Sequence, residues 1–271
     1  MQKRTYINEC LKNDVLIRWP ETLMPLRIYV APFRWYQAKN DINAEYQYRQ
    51  MVINALNHWT KATDGMVTFE IVQALTDSMI NLDWKRVDRS SLGHCYFNFD
   101  KQGRLFSAEV QIGLSDGVIH HEYMSENEVY HTIIHEIGHA LGLQHSPFKN
   151  DIMYVPHQYG VVDITQRDKN TLKWLYRLPY GVPWQEIVRS YGTQPYKSLD
   201  EMIYMLETNQ SQSKFEQVKE ETHLNQPSKD LISEVERIGN LNLYNQSLQR
   251  LELSDNIKDL VKKVKINKHL K

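Results

Sequence analysis

The stretch HTIIHEIGHALGLQHS, residues 131–146, decides how this chain is read. His135, Glu136 and His139 stand in the order H-E-x-x-H, and Val129, Ile133, Ile134, Ile137, Ala140 and Leu141 form an apolar stripe at helical spacing. Residues four apart on a helix differ by only about 40° of rotation, so His135 and His139 project to one side and can grip one metal ion. Ser125 with Glu128 three residues on predicts a capped helix start, and Gly142 predicts its end. His145 lies six residues after His139 and would leave that face on a continuing helix. A left-handed Gly142 bends the chain back and lets His145 supply a third ligand. A chance H-E-x-x-H in a chain of this composition is expected roughly 0.03 times. Three histidines beside a glutamate leave room for a water, the pattern of a catalytic zinc site and not of a closed structural one.

Working outward, LRIYVAP (26–32) reads as a strand closed by proline, and residues 43–63 as an amphipathic helix. Its apolar positions are Tyr46, Met51, Val52, Ala55, Leu56 and Trp59, and Asp64-Gly65 stops it. MVTFEIV (66–72), SMINLDW (78–84), HCYFNFD (94–100) and AEVQIGL (108–114) read as further strands. Strand, helix, strands and then a second helix predict an α+β fold, a sheet with helices on one face. Beyond a loop over 144–163, Thr165 with Asp168 opens another helix ahead of Leu172, Leu175 and Tyr176. After Pro183 the composition turns polar, with helical patches at SLDEMIYMLE (198–207) and LISEVERI (231–238). The expected organisation is an N-terminal segment 1–20, a catalytic domain 21–182, and a helical, partly flexible extension 183–271 that could dock a protein partner.

Composition sets the outer limits. The chain has 271 residues, 41% of them hydrophobic, enough for a core. Lys and Arg number 32 against 33 Asp and Glu, so no basic field gathers nucleic acid. No stretch is long and apolar enough to suggest a membrane span, and MQKRTYINECLKND lacks the apolar block of a signal peptide. The expectation is a cytoplasmic protein, or a secreted one if Met1 was added to a mature fragment. Cys10 and Cys95 are too few for a disulfide framework.

HEIGHALGLQHS (135–146) followed by IMY (152–154) resembles the metzincin metallopeptidases. Ser146 after the third histidine, the eight-residue step from His145 to Met153, and Tyr154 are most similar to the matrixins. The resemblance implies one catalytic Zn²⁺ held by His135, His139 and His145, with Glu136 as general base for hydrolysis of peptide bonds in extended polypeptide. It further implies Met153 as a hydrophobic floor, and His131 and Tyr154 in the pocket for the residue after the cleaved bond. A histidine at 131 would make that pocket more polar. The strand AEVQIGL would pair with substrate. The family's inhibitory Pro-Arg-Cys-Gly run has no match, and Cys10 is weighed as a thiolate cap on the metal against a plain thiol. His94 stands where a structural metal loop would begin, but Glu109 and Gln111 follow where further ligands would be needed, and one zinc is expected. The rival class is a peptide-binding module that keeps the zinc cleft and cuts nothing; Glu136 argues against it.

Overall fold

The structure, a computed structural model, describes residues 4–33, 42–86, 92–114, 125–158, 160–191 and 196–209. Its strands are β1 (Leu11–Lys12), β2 (Val15–Leu16), β3 (Leu26–Val30), β4 (Phe69–Val72), β5 (Ile80–Arg86), β6 (Gly93–Phe99) and β7 (Leu105–Leu114). Its helices are α1 (Ile42–Ala62), α2 (Glu126–Ala140), α3 (Gln166–Arg177), α4 (Trp184–Ser190) and α5 (199–209). The patch 231–238 lies outside the described residues.

β1 and β2 form a small hairpin, and the other five strands make one sheet in the order β4-β3-β5-β7-β6. Neighbours are parallel except β6 against β7, which are antiparallel. This order corrects one expectation. β7, which contains AEVQIGL, is paired on both sides, with β5 and with β6, so its backbone groups are already used and it cannot take a substrate strand. The terminal strand on that side is β6.

α1 buries Val52, Ala55, Leu56, Trp59 and Ala62, the i, i+3, i+4 pattern of one face. Tyr46, placed on that stripe from the sequence, is exposed. Asp64 and Gly65 both take positive φ and turn the chain toward β4. α2 lies against α1 and against β6 and β7, which puts one side of the helix in the core and the other along a cleft.

The first compact unit runs through Thr208, so a boundary near 183 falls inside it. Residues 4–20 belong to the same core: Tyr6, Ile7, Cys10, Leu16, Ile17 and Trp19 are buried, as are Leu199, Met202 and Ile203 of α5. Asn8 accepts from the Leu199 amide, Thr5 donates to Asp200, and Arg4 pairs with Glu207. The apolar spacing of SLDEMIYMLE therefore marks a packed face of the unit.

Candidate metal centre

α2 opens with the capping box the sequence predicts: Ser125 Oγ accepts from the Glu128 amide, and the Glu128 carboxylate accepts from the Ser125 amide. It ends in a Schellman turn. The Leu143 amide donates to the Gly138 carbonyl and the Gly142 amide to the His139 carbonyl, with Gly142 at φ +100°. A Cβ at Gly142 would also meet the Ile17 carbonyl oxygen at 2.6 Å, so two constraints select glycine there. The remaining helix-end carbonyls are not left bare. Trp19 Nε1 donates to Ala140 O and the Tyr176 hydroxyl to Leu141 O.

These turns bring His135, His139 and His145 together, with one ring nitrogen from each lying within 4.8 Å of the others. His135 Nδ1 lies 2.8 Å from the Ile152 carbonyl oxygen, and His139 Nδ1 lies 2.8 Å from that of Leu143. A carbonyl only accepts, so both Nδ1 atoms carry the proton and both Nε2 atoms present lone pairs. Those two Nε2 atoms are 3.1 Å apart. Burial pushes both imidazoles toward the neutral form, His139 to about 4. Two acceptor lone pairs at this distance repel unless a cation lies between them, and neutral imidazoles are the form that ligates one. The donor set fits a metal ion such as zinc, with carbonyls fixing the ring orientations from behind.

Met153 is fully buried and packs against α2 at Gly138. Its sulfur occupies the space a Cβ at Gly138 would need, 2.5 Å from the ideal position, so a glycine inside α2 lets the methionine rise between the turns that carry His135 and His139. The turn holding Met153 is fixed by Ser146, whose amide donates to Met153 O and whose hydroxyl donates to Asp151. Asp151 also receives the Arg167 guanidinium. From the far side, Asp168 accepts from the Ile152 amide, from Thr165 and from the Tyr6 hydroxyl.

Glu136 faces the cleft and is 6% exposed. Burial alone raises its carboxyl to about 8. A Cβ at Gly93 would lie 2.7 Å from Glu136 Cγ and Oε1, so the start of β6 lies directly on this carboxyl. Gly93 and Gly138 were not singled out from the sequence, although an isolated glycine in a strand or helix pattern is the signal of close approach. The cleft, about 740 Å³, is also lined by His131, Tyr154 and His157. His131 Nδ1 donates to Val161 O at 2.6 Å, and its ring meets that of His157 edge-on at 4.1 Å. Cys10 is not at the metal cluster: it is buried in the core, its thiol pushed up to about 12, which removes the thiolate reading. Both cysteines are free.

A family model for matrixin, peptidase family M10, matches residues 31–177, more than half of the chain. The chain belongs to the matrixin family. Among curated relatives, a protein named probable matrix metalloproteinase of Invertebrate iridescent virus 3 is 30% identical over 176 residues, 60% of this chain and 44% of that protein. A Heliothis virescens ascovirus 3e protein whose assigned name is also matrix metalloproteinase is 26% identical over 157 residues, 49% of this chain and 32% of its own. Matrix metalloproteinase-A of Caenorhabditis elegans is 30% identical over 91 residues, 34% of this chain and 17% of its own. The chain thus spans less than half the length of these relatives. The matrixin match covers α1 to α3 and includes the whole histidine cluster. Residues 4–20 and α4 to α5 lie outside it. Among the described residues, no helix is long and apolar enough to cross a membrane.

Proposed function

We propose that this matrixin is a zinc endopeptidase in which His135, His139 and His145 hold the metal and Glu136 is the general base. The observation that carries the reading is the pair of Nε2 lone pairs 3.1 Å apart with Glu136 buried beside them in one cleft. A bound zinc supplies charge that lowers the pKa of a water and polarises the scissile carbonyl. Glu136 takes the proton of that water and passes it to the leaving amine. Its burial raises the carboxyl's proton affinity, which suits the first half of that task, taking the proton and holding it until the amine leaves. The carbonyls of Ile152 and Leu143 keep His135 and His139 in the ligating tautomer. Substrate lies as an extended peptide along β6, whose residues Gly93, Cys95 and Phe97 border the cleft, and strand addition there holds the scissile bond over Glu136. A module that only bound peptide would gain nothing from a desolvated carboxyl at this point.

The test pairs zinc content with cleavage of a diverse peptide library, for the wild type and Glu136→Ala side by side. One zinc in both and cleavage by the wild type alone is the expected result. Zinc in both and cleavage by neither would overturn the reading.

A further inference from the structure

We infer that Lys12 forms a subsite for an acidic side chain of the substrate, at the end of the cleft opposite His131. The inference rests on the peptidase reading for its direction: with His131 in the pocket for the residue after the cleaved bond, the Lys12 end receives a residue before it.

Lys12 stands on the β1–β2 hairpin, beside a two-residue turn in which Asn13 and Asp14 both take positive φ, the twist that matches a tight hairpin. The hairpin is fastened to the body. The Gly181 amide donates to Leu16 O at 3.0 Å, the Trp184 amide to Asp14 O at 2.9 Å, and Val15 bridges Pro183. Lys12 is therefore presented from a fixed platform, half-buried, and lines the cleft together with His139, Gln144 and His145. His131 lies about two turns before His139 on α2, whereas Cys10, two residues before Lys12, lies against the backbone of Gln144 beyond the end of that helix. Among the described residues, the carboxyls that line the cleft are Glu128 and Glu136, and both sit on α2 before His139. Among the described residues Lys12 makes no ion pair. A half-buried cation that lines a cleft with a carboxamide, and has no acid opposite it among the described residues, is a recognition site for a carboxylate. A free chain terminus is the less suitable source, because the peptide continues past this end on its way through the cleft. The chemistry selects an aspartate or glutamate side chain.

The experiment compares peptides cut by the wild type that carry Glu or Gln at each position before the cleaved bond. Turnover is followed with the wild type, and binding with zinc-loaded Glu136→Ala by fluorescence anisotropy. At one position Glu is expected to exceed Gln by about five- to tenfold in kcat/KM and in affinity, and the ratio should shrink as salt rises. Lys12→Met brings the ratio to about one, Lys12→Glu inverts it, and Lys12→Arg restores it. An unchanged ratio in Lys12→Met and Lys12→Glu overturns the inference. If the wild type cuts nothing, peptides drawn from the library by binding carry the same comparison. Acid selectivity that disappears in Lys12→Met would then sustain the subsite while the peptidase reading fails.

Discussion

Two buried carboxyls lie on either side of the turn that carries Met153, and they are treated in opposite ways. On the far side, Asp168 is fully buried and saturated, with the Tyr6 hydroxyl, the Ile152 amide and both the amide and hydroxyl of Thr165 donating to it. On the cleft side, Glu136 is almost as buried and accepts no hydrogen bond from the described residues; desolvation alone sets its proton affinity. The first arrangement is what folding favours, since a buried polar group costs free energy unless it is paired. The second is tolerated only where the group is kept for a reactant. On the proposed reading, buried acids of similar exposure separate into holding and reacting groups by their donors.

That contrast can be broken by substitution. The largest expected effect is at Glu136: Glu136→Ala should lower kcat/KM by about a thousandfold, the loss of a positioned general base. Zinc content and melting temperature should stay at wild-type values or rise slightly. A melting temperature that fell by many degrees would make Glu136 a holding group after all. Next is Asp168→Ala, which strands several buried donors and should cost about 2–4 kcal/mol in urea unfolding. Its residual folded fraction should still bind zinc. A smaller cost, about 1–3 kcal/mol, is expected for Gly138→Ala, where the new methyl meets Met153 Sδ. Pairing it with Met153→Ala should recover part of the loss, and independent additive losses would show that the two residues do not share the space. The smallest effect is Tyr6→Phe, which removes one of the donors to Asp168 and should cost about 1–2 kcal/mol, with peptide cleavage unchanged for the folded protein.

The cleft side was the more legible in the sequence, and the reason is physical. α2 announces itself through helical spacing, a capping box and a terminal glycine, and the H-E-x-x-H pair follows from the rotation of the helix alone. α3 did the same through Thr165 and Asp168, although the second role of Asp168, reaching Tyr6 and Ile152, depends on segments far apart in the chain. Residues 4–20 were opaque because short 3-10 turns and strands of two residues carry no period, so nothing in them predicts that Trp19 caps α2. The edge of the sheet was misread for a related reason. AEVQIGL is apolar enough to be an interior strand, and it is one, but which neighbour ends the sheet depends on the hairpin return of β6. The boundary near 183 followed a real change in composition and overlooked that Leu199, Met202 and Ile203 fall on one helix face.

The pairing of residues 4–8 with α5 also sets an order in time. During synthesis Thr5 and Asn8 leave the ribosome well ahead of their partners Asp200 and Leu199, which are made some two hundred residues later. Tyr6 likewise waits for Asp168, whose other oxygen holds the Ile152 peptide that orients His135. The nascent chain can therefore complete the helix bearing H-E-x-x-H long before the support behind its first histidine is closed. A ribosome paused before residue 168 should carry a chain whose metal affinity is weaker than that of the released protein.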